Sequence, residues 1–126
     1  MTLGYTYRHE IPIYLQLIDI MRSRIIEGDY CAGDRLPSIR DMALEYEVTP
    51  NTIQRALAVF EQEDIILTER TNGKYITSDL QRIRDMRQEH LRFSIHTLLE
   101  DLAGSGYTHD EIRLAFEKEM ASDDNR

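Results

Sequence analysis

The stretch EVTPNTIQRALAVFEQE, residues 47–63, constrains the fold most strongly, because it predicts a helix with one buried face. Thr49 can serve as the N-cap by accepting a hydrogen bond from a free backbone N–H of the first turn. Pro50 then occupies the first helical position, where its missing N–H costs nothing. Three apolar residues recur at spacings of four and three and therefore share one face: Ile53, Leu57 and Phe60.

The opposite face of this helix carries side chains that can bond to the edges of DNA bases. Asn and Gln amides can each make two hydrogen bonds to adenine, and an Arg guanidinium can make two to guanine. A helix buried on one side and carrying these groups on the other suits the major groove. The polar candidates on this face are Asn51, Gln54 and Arg55.

A second, shorter helix is predicted immediately before it, over residues 38–45. Ser38 is a candidate N-cap, and Asp41 stands three residues later, where it can bond back. Only three residues, 46–48, then separate this helix from Thr49. Two helices joined by a turn of about three or four residues have the spacing of a helix-turn-helix. The turn lacks the Gly often found there.

A β-hairpin is predicted after the two helices. Residues 66–70 and 74–77 are short β-rich runs, and Asn72-Gly73 between them is a strong hairpin signal. Its tip, Asn72, Gly73 and Lys74, is called the wing below. A Gly at the tip allows close backbone approach to the minor groove, although a plain hairpin turn would use Asn-Gly equally well.

An amphipathic first helix, beginning at Pro12 and ending at Gly28, completes a winged helix-turn-helix over residues 1–78. Residues 1–10 show no periodicity and are expected to be loosely ordered. The expected fold class is therefore mainly α with a small β-hairpin, a winged helix-turn-helix followed by a C-terminal helical hairpin.

Residues 79–126 predict this helical hairpin, a two-helix tail whose second helix opens with a capping box at Thr108 and Glu111. The tail is too short to enclose a core alone, so its apolar stripe must pack on the winged domain, on a second copy, or on both. We expect a homodimer; the alternative is a monomer whose stripe folds back on the first helix. The candidate dimerisation residues are Leu91, Ile95, Leu98, Leu102, Ile112 and Phe116.

The net charge of −8 opposes a nucleic-acid partner, because such proteins are usually basic. Residues 1–78 hold 8 Lys and Arg against 12 Asp and Glu, and residues 79–126 hold 7 against 11, so each part carries −4. A winged-helix module that binds another protein, without reading DNA sequence, is therefore the alternative function. Local placement still favours phosphate contact, through Arg35, Arg40, Arg55, Arg70 and Lys74.

Other functional classes find little support in the composition. No apolar run approaches the roughly 18 residues of a membrane span, and the N-terminus lacks the apolar core of a secretion signal. The single Cys31 cannot form an internal disulfide, so a cytoplasmic protein is expected. The four His lack metal-ligand spacing, and no catalytic or phosphate-loop motif is present. We expect no enzyme activity, no metal and no cofactor, and no pattern identifies a small-molecule effector.

The combined pattern over residues 11–77 resembles the GntR family of bacterial transcription regulators. The short two-helix tail and the Pro-Asn-Thr-Ile-Gln-Arg run are similar to its YtrA-like subfamily. The motifs that carry the resemblance are Pro12-Ile-Tyr14, Gly33-Asp-Arg-Leu-Pro-Ser38 with Arg40, residues 48–56 (VTPNTIQRA) and the Asn72-Gly73 wing.

The resemblance implies double-stranded DNA as the partner and extends the set of contact residues. Where many members place a base-reading Arg after the helix-capping Thr, this chain has Pro50, and Gln54 replaces another Arg. The resemblance therefore implies the fold but does not identify the operator sequence. The full set of candidate DNA-binding residues is Arg35, Ser38, Arg40, Thr49, Asn51, Thr52, Gln54, Arg55, Asn72, Gly73 and Lys74.

Overall fold

A computed structural model describes residues 4–124 and confirms the expected fold class. Three helices precede a two-stranded antiparallel hairpin, and two further helices follow it. The elements are α1 (Ile13–Glu27), α2 (Ile39–Tyr46), α3 (Pro50–Gln62), β1 (Ile66–Glu69), β2 (Gly73–Ile76), α4 (Leu80–Gly104) and α5 (His109–Asp124).

Helices α2 and α3 are capped as their sequences predict. The Ser38 hydroxyl accepts from the backbone N–H of Asp41 at 3.0 Å, and the Thr49 hydroxyl accepts from that of Thr52 at 3.4 Å. Glu47 lies in the turn between the helices with a φ of 58°, in the left-handed region. A Gly often occupies this position in the turn, because the left-handed conformation is unfavourable for a residue with a Cβ. Here Glu47 adopts that conformation.

Helix α3 is central to the winged domain, because α1, α2 and β1 all pack against it. The predicted apolar face of α3 is buried, and Ala56 is buried with it. The facing residues from the other elements share the aliphatic and aromatic character of a close-packed core. They include Leu17, Met21, Ile25, Leu36, Met42, Tyr46, Ile65, Ile66 and Ile76.

The loop before α2 covers one edge of the hairpin. The backbone N–H of Leu36 donates to the carbonyl of Lys74 at 2.8 Å, and that of Ile76 donates to the carbonyl of Asp34 at 2.8 Å. Arg35 lies between these bonds and pairs with Tyr75 in an isolated bridge. The loop therefore holds Arg35 next to the wing, where Gly73 has a φ of 92° that favours glycine.

The expectation of loose order for the N-terminus is wrong for residues 5–8, whereas residues 1–3 lie outside the described part. The backbone N–H of Tyr5 donates to Glu47 Oε2 at 3.0 Å, and the Tyr7 hydroxyl donates to the carbonyl of Tyr46 at 2.8 Å. Gln16 bonds to Arg8 through both amide atoms. These bonds fix the segment to α1 and to the helix-turn-helix, which periodicity alone could not indicate.

The chain divides into two compact units, and the division falls between Asp85 and Met86, within α4. In the second unit the predicted capping box is present, since Thr108 and Glu111 each donate a backbone N–H to the other's side chain. Among its described residues, only Met86 and Ile112 are buried apolar side chains.

None of the helices in residues 4–124 combines the length and hydropathy that crossing a membrane would require.

Candidate DNA-binding surface

The exposed face of α3 presents two amide side chains to solvent. Asn51 and Gln54 are both exposed, while Ile53 between them is fully buried. The burial of the opposite face therefore fixes which side of the helix is free, and leaves the amide groups available for bonding to base edges. Thr49 and Thr52 lie at the start of the same helix, where their hydroxyls bond to each other at 3.0 Å.

Arg55 is directed at α1 instead of standing free beside the amides. Its guanidinium carbon lies 3.9 Å from the centroid of the Tyr14 ring, a cation–π arrangement. Two acidic residues near Arg55 in the chain are engaged elsewhere, since Glu61 pairs with Lys74 and Glu47 accepts from Tyr5. Base contact by Arg55 thus stays a prediction that would require the guanidinium to leave the ring.

Four of the candidate residues come together around one depression of about 510 Å³. It is lined by the loop before α2, the start of α2 and the wing, and Asp41 contributes an acidic side chain. The nitrogens of the Arg35 side chain lie 3.6 and 3.7 Å from the position that a Cβ on Gly73 would occupy. The four candidates are Arg35, Ser38, Gly73 and Lys74.

The charge of Lys74 is neutralised within the domain. Its ammonium group forms an ion pair with Glu61 on α3 and donates to the Thr68 hydroxyl at 2.9 Å. Neighbouring Asn72 donates its side-chain N–H to Glu69 at 3.3 Å across the turn. The wing therefore offers less positive potential than its sequence suggests. Lys74 and Glu61 are 13 residues apart in the chain, so no local sequence pattern could indicate that they pair.

Arg40 is a candidate cation whose side chain is unconstrained by pairing within the described part of the chain. It is exposed on α2, and within residues 4–124 its side chain has no hydrogen bond or ion pair. Glu45, which lies on the same helix, pairs with Arg24 at 2.9 Å. The guanidinium of Arg40 is thus free to contact a phosphate or a base.

A buried tyrosine cluster lies at the C-terminal end of α2. The sequence analysis did not predict it. The Tyr46 hydroxyl accepts from Arg24 at 2.6 Å and shares a hydrogen bond of 2.7 Å with the Tyr30 hydroxyl. Burial is the main cause that raises the pKa of Tyr46 far above its ordinary value of 10.0. The cluster links the end of α2 to α1. The partners stand 16 and 22 residues from Tyr46, too far apart for a local motif.

The predicted dimerisation stripe in the second unit is mostly open to solvent. Leu91, Ile95, Leu98 and Phe116 are 41–53% exposed, and Leu102 is half-buried. Ile112 is buried within the single chain, and its place in a dimer interface stays a prediction. Four further large apolar side chains, absent from the predicted stripe, are more than half exposed: Phe93, Tyr107, Leu114 and Met120.

Comparisons with known proteins agree with this architecture. Residues 13–76 match the profile of bacterial regulatory proteins of the gntR family. The chain is 32% identical over 80% of its length to the uncharacterized HTH-type transcriptional regulator YhcF of Bacillus subtilis, covering 84% of that protein. It is 39% identical over 57% of its length to the HTH-type transcriptional repressor YtrA of the same organism, covering 55% of it.

A solved structure extends the likeness through both units. A GntR family transcriptional regulator from Listeria monocytogenes superposes with a TM-score of 0.81 at 34% identity, covering 89% of this chain and 98% of that one. The similarity to YtrA supports the resemblance to the YtrA-like subfamily. The chain belongs to the GntR family of bacterial regulatory proteins, which are transcription regulators with a winged helix-turn-helix DNA-binding domain and not enzymes.

Proposed function

We propose that this protein is a homodimeric repressor that reads an inverted-repeat operator with α3 in the major groove. The observation that carries the proposal is the division of α3 into a buried face and an exposed face bearing Asn51 and Gln54. Both amides match the pattern of donors and acceptors on adenine. The related YtrA carries the name of a transcriptional repressor, which supports repression over activation.

The remaining candidate residues would position the protein on DNA more than they would read the DNA sequence. Arg35 and Arg40 flank the start of α2 and would contact phosphates on either side of the inserted helix. Since Lys74 is already paired with Glu61, the wing would approach the minor groove through the backbone of Gly73. Few cations per subunit would then contact phosphate, in keeping with the net charge of −8.

Residues 1–78 would form the DNA-binding domain and residues 79–126 the dimerisation tail. Large apolar side chains stand exposed in the second unit, more than a lone soluble subunit usually leaves uncovered. We assign a second copy of the chain as the partner that covers these side chains. Pairing would place two α3 helices on two half-sites, and the second half-site would bind at high effective concentration. The symmetry of the pair would require an inverted repeat. A regulator of this kind would act in the cytoplasm.

The test is selection of binding sites by the full-length protein from random DNA, followed by gel shifts at two salt concentrations. We expect enrichment of an inverted repeat that includes adenines, and a shallow dependence of affinity on salt. If the protein enriches no DNA sequence and instead binds a specific protein partner, it is the alternative interaction module. Enrichment of a single, unrepeated site would contradict the homodimer while leaving DNA reading intact.

A further inference from the structure

The end of α3 is bonded directly to the first turn of α4. The Arg82 side chain donates from Nε to the backbone carbonyl of Glu63 at 2.6 Å. Glu63 is the C-cap residue of α3. Carbonyls at a helix C-terminus have no partner within the helix, and a guanidinium donor is well suited to satisfy one.

Glu63 is itself held in place from the side of α1. Its carboxylate accepts two hydrogen bonds from Arg22, at 2.8 and 2.9 Å, in a bidentate pair. The Arg22 guanidinium also lies 4.9 Å from the centroid of the Phe60 ring on α3. Both side chains of the pair are largely shielded from solvent, with exposed fractions of 15% and 27%. The acceptor that Arg82 uses is therefore fixed by α1 and α3 together.

The start of α4 is fixed at a second point. Asp79 caps the helix, since its Oδ1 accepts from the backbone N–H groups of Gln81 and Arg82 at 3.0 and 3.2 Å. The backbone N–H of Asp79 donates to the hydroxyl of the buried Thr77, whose own N–H donates to the carbonyl of Ile65 at 2.8 Å. One anchor thus leads to the core beside β1 and the other to the end of α3.

We infer that Arg82 is a positioning residue that determines the spacing between operator half-sites. Two anchors fix the direction in which the first turn of α4 leaves the winged domain, whereas one anchor would leave that turn free to pivot. The inference rests on the proposed homodimer, in which α4 carries the dimerisation residues. In such a dimer the permitted distance between half-sites depends on how firmly each α3 is tied to its own tail.

The test compares full-length wild type with Arg82→Met, which keeps the aliphatic stem and removes the N–H donors. Arg84→Met is the matched control, because Arg84 is an exposed Arg on the same helix turn and its weak 3.5 Å contact is only with Gln81. Each protein is bound to a library in which two half-sites are separated by spacers from zero to about one helical turn. Binding to a single half-site is measured in parallel.

We expect wild type and Arg84→Met to favour one spacing strongly. Arg82→Met should flatten that preference by about tenfold, with unchanged base choice within the half-site and unchanged single half-site affinity. A retained spacing preference in Arg82→Met would overturn the inference. Loss of single half-site binding would also overturn it, by showing that Arg82 maintains the winged domain itself. If wild type prefers no spacing or binds no DNA, the proposed homodimer or DNA binding fails instead.

Discussion

The guanidinium of Arg55 stacks on the ring of Tyr14, so the single arginine of α3 is joined to α1. We therefore expect Arg55→Ala to lower the free energy of unfolding by about 0.5–1 kcal/mol, the usual range for an exposed cation–π contact. If the stack persists on DNA, base preference in a site selection should be unchanged. The coupling energy between Arg55 and Tyr14 is measured by a double-mutant cycle with Tyr14→Leu in urea denaturation. A changed base preference of Arg55→Ala at one operator position would show that Arg55 leaves the ring to read DNA.

Asn51 is expected to read a base. Asn51→Ala should weaken binding to the best operator by about 1–3 kcal/mol and relax base choice at one position in each half-site. Gln62→Ala is the control, because it removes an exposed amide at the far end of the same helix, about 16 Å away at 1.5 Å per residue. Equal affinity and equal selectivity of Asn51→Ala and wild type would exclude Asn51 as a base contact.

Arg35 and Lys74 were both predicted from sequence to act through phosphate, and the ion pair of Lys74 with Glu61 separates them. Arg35→Ala should weaken specific and non-specific binding alike and reduce the slope of log affinity against log salt by about one unit. Lys74→Ala should reduce that slope much less, because its charge is already neutralised.

The matching variant is Glu61→Gln, which frees the Lys74 ammonium and should steepen the slope. Titrations of each variant at several salt concentrations provide the comparison. An equal loss for Arg35→Ala and Lys74→Ala would mean that DNA displaces Glu61 from the lysine.

Leu98 is expected to lie in the dimer interface. It is 42% exposed in the single chain, so Leu98→Glu should change the stability of the subunit little, while a charge buried between two copies should weaken dimerisation at least about tenfold. Leu67→Glu, at a similarly exposed position on β1, is the control. Sedimentation at micromolar concentration measures the change. A wild-type protein that is itself monomeric there would contradict the dimer.

The Tyr46 hydroxyl should stabilise the fold only below alkaline pH. Its folded-state pKa is raised, chiefly by burial, above the ordinary 10.0. The contribution is therefore complete below pH 10 and is lost as the pH rises toward the folded-state value. Tyr46→Phe should cost about 1–3 kcal/mol at neutral pH, because the Tyr30 hydroxyl loses its buried partner.

Urea denaturation at neutral pH and at about pH 11 measures both effects. The difference in stability between wild type and Tyr46→Phe should shrink at the higher pH. Tyr107→Phe, which removes an exposed hydroxyl, should behave like wild type at both values. A difference that does not change with pH would argue against titration of Tyr46.

The parts of the fold that the sequence predicted well depend on residues close together in the chain. The caps at Ser38 and Thr49, the left-handed Gly28 and the hairpin each involve contacts within a few positions. The turn of the hairpin is nevertheless residues 70–72, because Gly73, predicted to lie in the turn, already pairs with Glu69 in β2. The buried face of α3 followed from its period. Such features are stabilised locally, so a single sequence suffices to find them.

The contacts that change the interpretation of the site join residues that are distant in the chain. Glu61 neutralises Lys74, and Arg55 reaches Tyr14. Neither pairing could be ranked above its alternatives until the packing of α1, α3 and the hairpin was known. For the same reason the sequence did not show that Ile112 is buried within the single chain.

The hydrogen bond from Tyr7 to the Tyr46 carbonyl spans 39 residues and closes a loop that contains all of α1 and α2. Contacts between distant positions form late in folding, because the entropy of closing a long loop opposes them. We expect the N-terminal segment to dock last, after both helices are in place. The chain has no Trp, and Tyr5 stacks near Tyr46 with centroids 5.1 Å apart. A final change in tyrosine fluorescence during refolding that is present in wild type and lost in Tyr5→Leu would therefore report docking of this segment.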